Sequence, residues 1–239
     1  MSLAIAIVPS VSVSRAERDV GSILFKSRLS LKLAYTIGIP SSVFMMVFSK
    51  EIISVLYSSL DYNSVLIASR LLTITAPNIL IMSVMQIYVS LLQALDRTKW
   101  AVGGLGGAVV VKTLLMLVLV RYLGIVGAGV ALLSMGVVSL AIVNAYFLKL
   151  TSMSIRNPVG FALFSGLITA LALIVPKVYI VHDILALLVG FVLCYVMYFF
   201  MSILFGVMDK HEYGSIPMGK LLLKAHRVIR FWEYNNGTQ

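Results

Sequence analysis

Long apolar runs fill the chain up to about residue 207, and the short connections between them carry most of the charge. A bilayer core about 30 Å thick takes about 20 apolar residues in a helix. Six runs reach that length: Leu33–Tyr57, Val65–Leu95, Ala101–Val120, Ile125–Leu148, Val159–Pro176 and Ile184–Val207. In hydrocarbon no water satisfies backbone N–H and C=O groups, so these runs should be helical. The pattern predicts an all-α fold, a polytopic transmembrane helical bundle of six full spans. Ahead of them, Leu3–Val13 is apolar but too short to cross and follows no basic residue, unlike a signal peptide. It reads as the tail of a helix.

Beyond the spans, Leu221, Leu222, Ala225, Val228, Ile229 and Trp232 recur at helical spacing within Pro217–Tyr234. Lys220, Lys224 and Arg227 occupy another face. This is a basic amphipathic helix, resting either on the anionic inner leaflet or on the ends of its own bundle.

Composition agrees with the pattern. The chain is 60% hydrophobic and 12% charged, with mean hydropathy +1.02. A soluble domain carries about 25% charged residues. The net charge of +10 could suggest nucleic acid, but the cations sit between apolar runs and not on one soluble face. Fourteen Lys and Arg fall on alternate connections, in Ser14–Lys32, at Arg97 and Lys99, at Lys149 and Arg156, and in the tail from Lys210. Only Arg121 and Lys177 fall on the others. The side with fourteen is cytoplasmic by the positive-inside rule, which puts the C-terminus in the cytoplasm. The lone Cys194 excludes a disulfide framework.

Pro77 interrupts the long second run and predicts a kink or tilt there; Pro40 has a similar place in the first. Gly103 and Gly107, one turn apart, permit close helix packing.

Ionisable groups at membrane depth are functional candidates by default. Lys112 lies near the middle of the third run and needs either a polar cavity or a hydrogen bond to a neighbouring helix. Arg70 either lines a cavity or snorkels outward, and Lys50 and Glu51 sit near the outer end of the first run, where snorkelling suits them. Asn78, Gln86 and Gln93 fall near one stripe of the second run and Asn144 lies on the fourth; each suits a cavity wall or an ordinary interhelical hydrogen bond. No carboxylate lies deep in a span, whereas a proton- or sodium-driven pump usually keeps one there. Cations and amides suit an anionic ligand, such as a phosphate-bearing lipid headgroup.

Other patterns carry less. His182 and Asp183 are adjacent at a helix start and lack a nucleophile, so no enzyme is indicated. Gly124, Gly127 and Gly129 lack the order of a phosphate loop and read as a tight outer turn. Asn236-Gly237-Thr238 matches a glycosylation acceptor, but in a cytoplasmic tail it is unused. No metal-ligand spacing appears, and no cofactor is implied.

Four segments carry a family resemblance. Leu3–Ser12 (LAIAIVPSVS) resembles the end of a helix in prokaryotic polysaccharide transporters, where Pro-x-x-Ser leads into a basic loop. Ser90–Lys99 (SLLQALDRTK) resembles their "LQALGRT" turn, with Asp96 where glycine is usual. Val109–Lys112 and Tyr122–Gly129 (YLGIVGAG) resemble the hairpin that follows. That family belongs to the superfamily of multidrug, oligosaccharidyl-lipid and polysaccharide exporters. The resemblance implies a flippase that moves lipid-linked oligosaccharides across a prokaryotic plasma membrane by alternating access. It covers the C-terminal half only. Residues 1–150 would be a partial C-terminal lobe, 151–208 two additional helices and 209–239 a cytoplasmic tail. Arg70 and Lys112 would be cavity cations. The partners implied are the bilayer, a lipid-linked glycan, and either a separate N-terminal lobe or a second copy. A drug or cation antiporter of the same superfamily and a non-transporting remnant are the other readings.

Overall fold

A computed structural model describes residues 9, 11–14, 16–17, 19–151, 156–180 and 182–205. The amphipathic tail and most of Leu3–Val13 lie outside them. From Val20 onward the described residues form, in order, α1 (Val20–Val47), α2 (Ser49–Leu56), α3 (Tyr62–Thr75), α4 (Pro77–Ala94), α5 (Thr98–Leu123), α6 (Ile125–Thr151), α7 (Arg156–Tyr179) and α8 (Asp183–Leu204). Among the described residues six stretches are long and apolar enough to cross a membrane, α3 and α4 together forming one. This matches the six expected runs.

Two boundaries differ from the sequence expectation. The first helix starts at Val20, not near Leu33, so Lys26, Arg28 and Lys32 ride on it. Its 28 residues measure about 42 Å at 1.5 Å each, beyond the ~30 Å of hydrocarbon. The surplus is polar, and a hydropathy pattern registers only the apolar remainder. At its other end the expected single run to Tyr57 breaks at Phe48 (φ −101°, ψ 23°), and α2 follows as a separate short helix.

The α3–α4 break falls where Pro77 directs it. Pro77 lacks an N–H and opens α4 as its first residue, while Ala76 keeps helical φ and ψ. The buried Ser42 hydroxyl donates to the Ala76 carbonyl at 3.0 Å, so α1 braces the joint. At the head of α3, Asp61 accepts from the Asn63 and Ser64 amides at 3.1 and 3.2 Å. Hydrogen bonds from Ser64 hold the Asp61 carboxyl below the usual carboxylate range.

The core gathers around α1, which packs on α4, α7 and α8. Leu31, Val84, Tyr88, Leu91, Leu92, Val143 and Phe147 form its largest cluster. Pro40 is buried inside α1, and α8 supplies side chains along it. Cys194 Sγ donates to the Pro40 carbonyl at 3.4 Å, and Tyr198 Oη reaches the Tyr35 carbonyl at 3.5 Å. Tyr195 Oη and Ser41 Oγ are 2.8 Å apart. Phe48 is fully buried against Leu173, Ala186 and Cys194, and a Cβ on Gly190 would stand 2.4 Å from its ring.

Both tight turns have a physical explanation. The Leu95–Arg97 turn ends α4 in a Schellman motif: the Arg97 amide donates to Leu92 O at 2.8 Å and the Asp96 amide to Gln93 O at 2.9 Å. Asp96 occupies the left-handed position at φ 57°, which explains why glycine is the usual residue of that turn. Asp96→Gly should raise stability by less than about 1 kcal/mol, because relief of the left-handed conformation outweighs the side-chain contacts that Asp96 gives up. Thermal unfolding of the two proteins in one detergent measures it; an unchanged or lower Tm contradicts it. Between α5 and α6 the chain reverses through Gly124 alone, at φ 59° and ψ −140°, a region open essentially to glycine.

Candidate functional site

The six polar candidates occupy four neighbouring helices, α3 to α6, and the structure sorts them. In α4 the face toward α1 and α6 buries Val84, Met85, Ile87, Tyr88, Leu91 and Leu92. Gln86 and Gln93, seven residues apart, share the opposite, exposed face. Asn78 leaves that stripe. It turns toward α6, with Oδ1 2.4 Å from where a Gly136 Cβ would stand. That oxygen is buried and has no hydrogen-bond partner among the described residues. The expected common stripe therefore holds for the two glutamines alone, since eight residues advance a helix about 80° past two full turns.

Lys112 stands mid-span in α5, half-buried. It follows Leu105 by seven residues, on nearly the same line, and Leu105 packs against the core cluster of α1, α4 and α6. Lys112 is thus on the core-side flank of α5. Arg70 on α3 is exposed, beside Leu71, which packs toward Gly129 of α6. Asn144 on α6 is half-buried next to the fully buried Val143. Among the described residues none of these six side chains makes a hydrogen bond or an ion pair, to one another or to anything else. The structure places them around α3–α6 without joining them into a bonded network. An open pocket of about 690 Å³ lies elsewhere, between α2 and the start of α8, and Val55, His182, Asp183 and Leu188 are among its lining residues. Among the described residues no cluster of His, Cys, Asp and Glu could hold a metal.

Three sequence expectations change. The glycine that brings α5 against α6 is Gly104, whose Cβ would stand 2.8 Å from Val143. Gly103 has nothing within 4 Å and Gly107 only Ile142 at 3.9 Å, so these two do not make the close packing. Glu51 does not snorkel: it is only 13% exposed, and Lys177 Nζ lies 3.4 Å from its Oε2. That oxygen accepts no hydrogen bond of ordinary geometry, so the contact is an ion pair. Lys177 also donates to the Val47 carbonyl at the end of α1. Lys177 looked like a solitary connection cation in the sequence. The pattern of crossings supplied a clue, because it puts Glu51 and Lys177 at the same end of the bundle. Lys50 turns away, 5.4 Å from the Tyr62 ring centroid.

The lipid II flippase MurJ family model matches residues 1–204. The chain belongs to this family. The polysaccharide-transporter assignment is thereby corrected to MurJ, another family of flippases. A transporter family agrees with the absence of enzyme motifs in the sequence. A solved structure of the lipid II flippase MurJ in its inward closed conformation is similar in fold, with TM-score 0.73 and 16% identity. The match covers 86% of this chain and 43% of that one, so the chain spans less than half the length of that MurJ. No curated protein sequence matches.

Proposed function

We propose that this chain forms the C-terminal part of a MurJ-type flippase that carries lipid II, a lipid-linked glycan precursor, across the membrane by alternating access. The observation that carries the reading is a set of uncompensated polar groups in an apolar bundle. Gln86 and Gln93 are open on α4, and Lys112 is half-buried at mid-span without a partner among the described residues. Polar groups at membrane depth need a partner or a water-filled cavity, and a cation with amides suits the phosphates of a lipid-linked glycan. In this reading Lys112, Arg70, Asn78, Gln86, Gln93 and Asn144 border the path of the headgroup, and Pro77 and Pro40 are places where helices bend. Helices α1–α6 are a partial lobe, α7 and α8 an added pair, and the C-terminus is cytoplasmic. A complementary lobe closes the cavity.

The test is complementation in bacteria depleted of their own lipid II flippase. The chain is expressed with the N-terminal lobe of a MurJ relative, and transfer of lipid II to the outer leaflet is measured. Restored transfer is expected, falling about tenfold or more in Lys112→Ala, the scale of one lost charge-assisted hydrogen bond. Unchanged transfer in both Lys112→Ala and Arg70→Ala, with restored transfer in the parent, would remove the cavity assignment.

A further inference from the structure

The ends of α5 and α6 on the basic side carry a patch that the transport path does not use. Trp100, in the first turn of α5, stacks on Tyr146 near the end of α6, with centroids 4.2 Å apart and planes inclined 32°. Trp100 is 45% exposed. Arg97 and Lys99 flank it, and Lys149 follows Tyr146 by one helical turn; all three are exposed. None of the three makes an ion pair with a described residue. The neighbouring carboxylate, Asp96, is held in the α4–α5 turn and has its own contacts. Below the patch, Lys99, Gly103, Gly106 and Val110 follow one line down α5, and the two glycines have nothing within 4 Å.

We infer that Arg97, Lys99 and Lys149, with the Trp100–Tyr146 pair, form a binding site for the headgroup of an anionic phospholipid. Tryptophan and tyrosine settle at the headgroup level of a bilayer. Each cation near an anionic surface contributes about 1 kcal/mol, so three acting additively would enrich an anionic lipid on the order of a hundredfold. A single phosphate and solvent screening reduce that, and about tenfold is expected. The topological bias of cations requires no such selectivity. It orients the chain whichever lipid surrounds it.

Trp100 supplies the readout. The chain has two tryptophans, so Trp232→Phe leaves Trp100 as the sole one. In vesicles of phosphatidylcholine, a small fraction of lipid is replaced by acyl-brominated phosphatidylglycerol or by acyl-brominated phosphatidylcholine. The expected result is Trp100 quenching by the glycerol lipid at about one tenth of the mole fraction. The preference disappears in Arg97→Gln/Lys99→Gln/Lys149→Gln and weakens with salt. Equal quenching by the two lipids overturns the inference, and so does a preference that survives the triple substitution. Abolition of the preference by millimolar inorganic phosphate would make this a site for free anions and would also overturn it. If the triple variant inserts poorly, the salt titration of the parent and Lys99→Gln alone decide: a salt-independent preference that Lys99→Gln leaves unchanged rejects the site.

Discussion

Gly127→Ala should cost at least about 3 kcal/mol and open the α5–α6 hairpin. A Cβ at residue 127 would stand 2.3 Å from the Leu119 carbonyl oxygen and 2.5 Å from its carbon, with the Val120 nitrogen at 2.9 Å. All three atoms are backbone, so no side chain can swing aside. Relief requires the two helices to separate, although Gly124 alone joins them. Overpacking in a core costs about 1–3 kcal/mol when side chains can adjust, and here they cannot. Separation would also withdraw Gly104 from Val143 and Trp100 from Tyr146. Gly103→Ala is the matched control. It adds the same methyl to open space on the same hairpin, and it should be neutral or stabilise by up to about 1 kcal/mol through helix propensity. Thermal unfolding of both variants in one detergent makes the comparison. Equal Tm values for the two would contradict the geometry.

Lys177→Met should destabilise by about 2–3 kcal/mol, and Glu51→Gln should restore most of the loss. Removing one member of a buried ion pair costs about 3–5 kcal/mol, because the other charge is left uncompensated. Lys177 is one third exposed, which lowers that figure through screening. Glu51 at 13% exposure would remain charged among Phe48 and its apolar neighbours. The Val47 carbonyl would lose its donor in the same step. The double variant removes the charge but not the need of that carbonyl, so recovery should be incomplete. A double-mutant cycle gives the coupling. A coupling near zero would show that the pair contributes nothing.

Much of the architecture was legible because a bilayer imposes one length and one polarity on every crossing. Six spans and their helical state followed from that constraint. The hairpin at Gly124 and the turn at Asp96 were visible as short motifs because each needs an unusual backbone conformation. The same fact explains the misassigned family. "LQAL" and "GI-GA" mark a Schellman turn and a one-residue reversal, features of a fold shared by several kinds of exporter, and they say nothing about cargo. Gly104 lies one residue, about 100° around α5, from the expected Gly103, and in a segment where four glycines crowd together no local pattern says which one faces α6. The pairing of Glu51 with Lys177 joins residues 126 positions apart, and no local pattern records such a contact. For the cavity candidates, sequence showed which residues were polar at depth. Only the packed α4 distinguished Asn78, turned toward Gly136, from Gln86 and Gln93 on the open face.

The contacts of α8 along α1 have a mechanical consequence. A proline in a membrane helix ordinarily leaves a compliant joint, because one rung of the hydrogen-bond ladder is missing. Here Cys194, Tyr195 and Tyr198 bridge the segment from Tyr35 to Ser41 on both sides of Pro40. Helix α8 acts as a splint. The stiffness of α1 therefore belongs to the two helices together, and α1 can flex at Pro40 only as fast as α8 lets go.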